Sequence, residues 1–201
     1  MNDAPIRPLI PSGSPTALTL AIDVGGSAVK ANLVGADGQL VTQTQQVPTP
    51  YPCPPSVLVD VIEALAARFP AADRACVGFP GLVRSGTVIE VPSLSRRSYA
   101  GRSDGELVAA WSGFALREAV ADRLGIPVRA VNDADMAGCA VAQGRGMEFV
   151  VTLGTGIGTA LFQDGRLLPH MELSHLSFPG RRASIDVLVG NSLSLIHISE
   201  P

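Results

Sequence analysis

Two segments of the chain share one layout, and this repetition limits the possible folds more than any other feature of the sequence. In each segment an apolar run enters a loop of glycine and hydroxyl residues, a second apolar run follows, and an Asp-Gly pair turns the chain back. The first copy turns at Asp37-Gly38 and the second at Asp164-Gly165. Because Asp-Gly between apolar runs is typical of a hairpin, the repeat predicts two related lobes that face a shared cleft.

Strands alternate with helices along the chain. Helices are predicted over about 57–69, 114–124 and 135–143, and strands over about 16–22, 39–47, 75–79 and 126–131. Ser56 is the predicted N-cap of the first helix. This alternation predicts an α/β fold. The first glycine loop leads into another extended run instead of a helix, which argues against a dinucleotide-binding fingerprint.

The glycine loops are candidate phosphate-binding turns. The first one follows the strand-end carboxylate of Asp23 and contains Gly25, Gly26 and Ser27. Glycines let backbone N–H groups approach an anion, and hydroxyls add further donors. A single glycine-rich turn is more often only a turn, but two such loops favour phosphate binding. Asp23 would suit a Mg²⁺ ion held through water, or it is a solvated carboxylate; Lys30 would reach a phosphate, or it is an exposed strand lysine.

Two further groups of polar residues are candidates for substrate chemistry. Asp133 follows a predicted strand, at the edge where open α/β sheets bind ligands, and it would serve as a general base or as the cap of the next helix. His175 alone would more often be structural. Glu172, three residues earlier, makes the pair a better candidate for contacting a ligand.

Composition argues against several functional classes. The 201 residues carry a net charge of −3 without a Lys/Arg run, which disfavours nucleic-acid binding. No apolar run reaches the roughly 18 residues of a membrane span. The cysteines Cys53, Cys76 and Cys139 lack CxxC spacing and indicate reduced thiols in a cytoplasmic protein.

Five blocks of sequence, taken in order, resemble the ROK sugar kinases. The blocks are DVGGSAVK (23–30), GFPGLV (78–83), VNDADMAG (131–138), LGTGIGTALF (153–162) and MELSHLSF (171–178). They are most similar to the polyphosphate glucokinase-like branch, and the resemblance extends over about residues 17–192. It implies an α/β, actin-like ATPase (ribonuclease H-like) fold with two lobes around a cleft, of which the second lobe is incomplete. The implied activity is transfer of a phosphoryl group from ATP or polyphosphate, with Mg²⁺, to the 6-hydroxyl of glucose or a related hexose.

The resemblance also implies roles for the matched residues. Asp133 corresponds to the general base that takes the proton of the sugar hydroxyl. The implied substrate-binding residues are Gly81, Asn132, Asp133, Glu172 and His175. The residues implied to bind the phosphoryl donor are Asp23, Gly25, Gly26, Ser27, Gly154, Thr155, Gly156 and Gly158. Lys30, three residues after Ser27, is a further candidate. Asp23 is also the candidate Mg²⁺ contact, through water.

The chain departs from the family pattern at several positions. No CxCGxxGC run follows His175, so we predict no zinc. Ser93 stands where the family usually has an asparagine that helps to line the sugar site, a change that bears on sugar affinity. Ser174 replaces the usual Gly or Ala. We expect the polar segment 95–107 to be a mobile loop over the pocket.

The predicted organisation has four parts. Residues 1–15 form a flexible leader, 16–136 the N-terminal actin-like lobe, 137–192 the start of the C-terminal lobe, and 193–201 a non-native tail. The tail, LSLIHISEP, looks like a translated sequencing adapter; the alternative is a short apolar strand. If the natural sequence stops near Ser192, the second lobe is truncated, and we expect such a fragment to be weakly active or inactive.

Two other functions compete with the kinase. A sugar-responsive transcriptional regulator of the same superfamily would carry an N-terminal helix-turn-helix domain, for which the residues before the first strand are few and rich in proline. A non-catalytic sugar-binding protein is disfavoured by the presence of Asp133. The sequence leaves open the hexose, the choice between ATP and polyphosphate, and the oligomeric state, including a homodimer of the full-length protein.

Overall fold

The computed structural model describes residues 16–153 and 157–173, together with the backbone of 194–199. The described chain divides into two units. The larger unit ends at Met136, and the smaller unit begins at Ala137.

A mixed sheet of five strands forms the centre of the larger unit. Its strands are β1 (Thr19–Val24), β2 (Ala28–Val34), β3 (Gln45–Pro48), β4 (Arg74–Phe79) and β7 (Val128–Asn132), in the order β3-β2-β1-β4-β7. The first three strands pair antiparallel as a meander, whereas β4 and β7 run parallel to β1. A separate hairpin pairs β5 (Leu82–Arg84) with β6 (Thr87–Glu90). The parallel half of the sheet brings the carboxyl ends of β1, β4 and β7 to one edge.

Helices cover the apolar surface of this sheet. They are α1 (Pro55–Ala66), α2 (Gly105–Trp111), α3 (Leu116–Leu124) and α4 (Asp133–Cys139). Leu58, Ile62 and Leu65 recur at helical spacing on α1 and are almost completely buried in the same core as Ile22 of β1. Trp111 is 1% exposed and donates its indole N–H to the Cys53 carbonyl oxygen at 3.0 Å. Burial of these large side chains is what fixes the helices against the sheet.

The smaller unit contains an antiparallel sheet with the order β10-β9-β8-β11. Its strands are β8 (Met147–Leu153), β9 (Ile157–Gln163), β10 (Arg166–Leu167) and β11 (Ser194–Ser199). Val150, Ala160 and Phe162 form its buried cluster. Asp164 and Gly165 turn β9 into β10 with φ angles of 49° and 73°, as the Asp-Gly pair predicts.

The structure confirms the α/β class and corrects several boundaries. The strand predicted over 39–47 begins only at Gln45, because Thr42 and Thr44 bond to the Asn32 side chain instead of continuing the ladder. The predicted cap Ser56 lies inside α1, whose N-cap is Pro54 without a side-chain cap bond. Helix α2 is absent from the sequence-based prediction. It begins at Gly105 after an Asp104 cap, so the end of segment 95–107 is helical.

Candidate active site

The turn between β1 and β2 contains the first group of predicted phosphate-binding residues. Gly25 donates its N–H to the Ala28 carbonyl oxygen at 3.0 Å, which closes the turn. A side chain at Gly25 would place its Cβ 3.0 Å from that same oxygen. The turn therefore leaves little room for a side chain at this position, and glycine permits the close backbone approach.

The carbonyl groups of this turn are held by one short segment. Thr49 donates its hydroxyl to Gly25 O at 2.6 Å and its N–H to Ser27 O at 3.0 Å, while Tyr51 donates its hydroxyl to Gly26 O at 2.7 Å. Within the described part of the chain, the N–H groups of Gly26 and Ser27 have no hydrogen-bond acceptor. Successive unpaired N–H groups in a turn form an anion-binding concavity.

Asp23 and Lys30 face each other across the β1–β2 pair. Lys30 Nζ lies 4.0 Å from Asp23 Oδ2, and the two side chains are 50% and 44% exposed, so this is a weak ion pair. Burial raises the pKa of the Asp23 carboxyl above its usual value, and the Lys30 charge opposes that rise. One carboxylate of this kind fits a Mg²⁺ ion that keeps its waters and is held mainly by substrate phosphates.

The sheet register brings Asp133 to the same edge as this turn. Asp23 of β1 is paired with Gly78 of β4, and Gly78 is paired with Val131 of β7. Asp133 lies two residues beyond Val131, just as Gly25 lies two residues beyond Asp23. The two strand ends are two strand spacings apart, which is about 10 Å. The predicted phosphate turn and the predicted base therefore lie at one carboxyl edge of the larger unit.

Asn132 connects the Asp133 strand end to the loop at Gly81. Its side chain is buried, donates to Gly81 O at 3.1 Å and accepts the Ala134 N–H at 2.8 Å. A Cβ at Gly81 would collide with the carbonyl oxygen of Glu90. The structure thus gives Asn132 the capping role at the start of α4, and it joins two of the predicted sugar-binding positions through one hydrogen bond.

Asp133 is half-buried at the first position of α4. Its Oδ1 accepts the Ala134 N–H at 2.9 Å. An N-cap side chain accepts from the second or third helical residue, so the cap of α4 is Asn132, and the Asp133 contact with the adjacent residue is a local restraint on its carboxylate. The orientation that this restraint gives the carboxylate is compatible with proton transfer.

The smaller unit holds the remaining predicted residues. Gly158 lies in β9, paired with Thr152 of β8. Glu172 Oε2 lies 3.3 Å from Nε2 of His170, whose side chain is only 3% exposed. Thr159 donates its hydroxyl to the Met171 carbonyl oxygen at 2.9 Å, which attaches this segment to β9. Gly154, Thr155, Gly156 and His175 lie outside the described residues.

Three site residues were not predicted from the sequence. Thr49 and Tyr51 reach the glycine turn from positions more than twenty residues away, as the separations of 24 and 25 show. His170 lies only two residues before Glu172, and its proximity to that predicted sugar contact was the one available signal. At Ser93, the hydroxyl lies 3.5 Å from the Pro80 carbonyl oxygen.

Segment 95–107, the predicted mobile loop, has an ordered set of contacts. Arg97 pairs with Asp104 at 2.5 Å and with Glu106 at 2.7 Å. The N–H of Asp104 donates to Ser95 O at 2.8 Å. Tyr99 extends from this segment with 59% of its surface exposed.

No metal cluster or membrane helix is found where the structure describes side chains. Among residues 16–153 and 157–173, no three His, Cys, Asp or Glu side chains come together as a metal site. Over the described ranges, no helix combines the length and apolarity needed to cross a bilayer.

Comparison with known proteins gives one consistent result. A family model described as "ROK family" matches residues 19–172. Polyphosphate glucokinase of Mycobacterium leprae (strain TN) is 33% identical over 172 residues, which cover 81% of this chain and 48% of that protein. The chain thus spans about half the length of this curated relative.

Solved structures give the same fold. The inorganic polyphosphate/ATP-glucomannokinase from Arthrobacter sp. strain KM aligns with a TM-score of 0.68 and 33% identity, over 84% of this chain and 67% of that one. A ROK family glucokinase from Streptomyces griseus, in complex with glucose and AMPPNP, aligns with a TM-score of 0.62 and 26% identity, over 80% of this chain and 50% of that one. The predicted actin-like ATPase fold class is confirmed.

Proposed function

This chain belongs to the ROK family, and from that premise we propose that its protein is a sugar kinase. The proposed reaction moves a phosphoryl group from ATP or polyphosphate to the 6-hydroxyl of glucose or a related hexose. The names of its relatives, a polyphosphate glucokinase and a polyphosphate/ATP-glucomannokinase, support both the donor class and the acceptor class.

The observation that carries the proposal is the shared carboxyl edge of β1, β4 and β7. The backbone N–H groups of Gly26 and Ser27, which have no acceptor among the described residues, lie at one strand end, and the Asp133 carboxylate lies two strands away. Phosphoryl transfer depends mainly on positioning and on charge neutralisation. At this edge the turn supplies N–H groups that can stabilise phosphate charge, and the carboxylate supplies a base for the sugar hydroxyl. Ligands of open α/β sheets bind at such edges.

Asp133 is proposed to be the general base. Its carboxylate accepts the proton of the sugar hydroxyl while the hydroxyl oxygen bonds to the terminal phosphorus of the donor and the bridging oxygen leaves with the shortened donor. A well-placed base of this kind contributes about 10²–10⁴-fold to the rate. The Ala134 N–H holds the carboxylate in place at 2.9 Å, and Asn132 links the same strand end to the Gly81 loop.

For the other predicted site residues we propose the roles that the family resemblance implies. Glu172 and His175 are proposed to bind the sugar, and the second glycine loop (Gly154, Thr155, Gly156 and Gly158) is proposed to bind the donor. Asp23 would hold Mg²⁺ through water, and the ion would neutralise phosphate charge. Lys30 stays a candidate phosphate contact, and the absence of zinc, a cytoplasmic location and a full-length homodimer stay predictions.

The direct test is formation of a sugar phosphate. Purified 201-residue chain and the uninterrupted product of its gene would each be incubated with a hexose, Mg²⁺ and either ATP or polyphosphate, and the products measured by ³¹P NMR. We expect a hexose 6-phosphate from the uninterrupted product and little or none from the 201-residue chain. A product that binds specific DNA in a sugar-dependent way and forms no sugar phosphate would support the regulator instead.

A further inference from the structure

The Tyr51 hydroxyl contacts two segments that are remote from it in sequence. It donates to Gly26 O at 2.7 Å and lies 3.2 Å from Ser93 O, at separations of 25 and 42 residues. The first oxygen belongs to the phosphate turn. The second belongs to the segment that the family resemblance places at the sugar.

Peptide planarity gives the Gly26 contact a consequence for the turn. In a planar trans peptide the C=O and the following N–H point in opposite directions. A bond to Gly26 O therefore fixes the direction of the Ser27 N–H, and the Thr49 bond to Gly25 O fixes that of Gly26. Neither of these two N–H groups has a hydrogen-bond acceptor among the described residues.

The glycines make such a restraint necessary. Glycine has access to many backbone conformations, so the peptide between Gly26 and Ser27 would rotate at little cost if nothing held its carbonyl. A rotated peptide would present an oxygen to a phosphate instead of an N–H. The Tyr51 hydroxyl opposes that rotation directly.

The Tyr51 ring is itself held in place. It makes an edge-to-face contact with Tyr99, with ring centroids 6.3 Å apart and an interplanar angle of 80°. Burial is the largest of the influences that raise the pKa of the Tyr51 phenol above its usual value. The hydroxyl therefore stays protonated near neutral pH and can donate a hydrogen bond.

We propose that Tyr51 is a positioning residue that aims the Ser27 N–H at the phosphoryl donor and ties the phosphate turn to the segment at Ser93. This inference rests on the proposed function for the identity of the anion, but the restraint on the turn is a property of the chain alone. If the hydrogen bond from the Tyr51 hydroxyl is lost, we expect the affinity for the phosphoryl donor to fall by roughly 3- to 10-fold.

The test compares two conservative variants. Tyr51→Phe removes the hydroxyl and keeps the ring. Tyr99→Phe is the matched control, since Tyr99 is the only other tyrosine and its hydroxyl has no hydrogen-bond partner among the described residues. Both variants and the unaltered chain would be ¹⁵N-labelled, and the heteronuclear NOE of the Gly26 and Ser27 amides measured without ligand. The same amides would then be followed during titration with tripolyphosphate and Mg²⁺.

We expect Tyr51→Phe to lower the Ser27 NOE and weaken tripolyphosphate binding by about 3- to 10-fold, with the thermal unfolding midpoint and the Tyr99→Phe values unchanged. An unchanged NOE and an unchanged affinity in Tyr51→Phe would overturn the inference. So would a loss of affinity that only accompanies a lower unfolding midpoint, with the Ser27 NOE unchanged.

A different result would show that the proposed function, and not the role of Tyr51, is wrong. If tripolyphosphate shifts neither the Gly26 nor the Ser27 amide of the unaltered chain, the turn is not a phosphate site. In that case the ligand-free NOE alone decides whether Tyr51 restrains the turn.

Discussion

At Asp23, burial and a neighbouring cation act on the carboxyl in opposite directions. Burial raises its pKa, and Lys30, at 4.0 Å, opposes the rise. The folded-state pKa is therefore above the unfolded value of about 3.9. A raised acid pKa favours the folded state below the unfolded pKa, and that contribution is lost as the pH rises through the folded pKa.

Replacing Lys30 with methionine should raise the pKa of Asp23 further. The substitution removes the charge that opposes the effect of burial, so the pH window in which protonated Asp23 favours folding should extend upward. Carboxyl ¹³C titration by NMR measures the change, with the exposed Arg129→Met on β7 as the control. A pKa of Asp23 that is unchanged or lower in Lys30→Met would contradict this interpretation of the site.

At the residue scale, the sequence predicted the residues at strand ends better than the residues that hydrogen-bond to the adjoining turn. Asp23 and Asp133 were identified because each follows an apolar run, and the structure places both at strand ends. Thr49 and Tyr51 were missed because their partners are 24 and 25 residues away. Nothing in local spacing reports a hydrogen bond across such a distance.

At the scale of elements, the loop between β4 and β5 has no room for a side chain at Gly81. A Cβ at Gly81 would collide with the Glu90 carbonyl oxygen and approach Val91 Cα to 3.0 Å, and neither backbone group can yield. Gly81→Ala should therefore displace the loop and destabilise the larger unit by about 1–3 kcal/mol.

Urea unfolding of Gly81→Ala measures this cost. Gly105→Ala is the matched control, since a Cβ there meets no atom within 4 Å and its position at the start of α2 favours alanine. Equal stability of the Gly81 variant and the parent chain would show that the loop is not packed as described.

The loop between α4 and β8 depends on one buried carboxylate. Glu148 is 0% exposed and accepts N–H groups from Gln143 at 2.6 Å, Gly144 at 2.7 Å and Arg145 at 3.2 Å. Glu148→Gln replaces an acceptor oxygen with an NH₂ group and leaves a buried donor unsatisfied. Such a loss costs about 1–3 kcal/mol.

Amide hydrogen exchange measures this effect at the individual residues of the loop. In Glu148→Gln, the Gln143 and Gly144 amides should exchange about tenfold faster or more, whereas Glu90→Gln at an exposed glutamate should leave them unchanged. Exchange rates equal to those of the parent chain would mean that Glu148 does not hold this loop.

At the element scale, apolar periodicity predicted α1 and α3, and their ends were set by chemistry that the pattern did not reveal. Helix α3 ends at Leu124, and its C-cap is Gly125 with φ 68°, as the glycine predicts. Helix α1 begins without the expected Ser56 cap. Helix α2 was missed because only Leu107 and Trp111 of its residues are buried, which is too few to show a period.

For the molecule as a whole, the family relationship covers more of this chain than of its relatives. The match covers 81% of the chain and 48% of the M. leprae enzyme. For that reason the activity is proposed for the uninterrupted gene product.

The predicted non-native origin of residues 193–201 stays a prediction. Ser194–Ser199 forms β11, paired antiparallel with β8 from Ser194↔Leu153 to Ser199↔Glu148. Edge strands accept extended segments through backbone hydrogen bonds, so this pairing does not depend on where the sequence came from. The genomic reading frame across Ser192 decides the matter, and a frame that encodes LSLIHISEP would refute the adapter origin.

The most direct test of the account is the turnover of Asp133→Asn in the uninterrupted gene product, beside Asp122→Asn at an exposed position of α3. The amide keeps the size and the contact with the Ala134 N–H but cannot accept the sugar proton. We predict that Asp133→Asn lowers kcat for hexose phosphorylation by about 10²-fold or more, and that Asp122→Asn retains the parent rate. Near-normal turnover in Asp133→Asn would contradict the assignment of the base and, with it, the proposed mechanism.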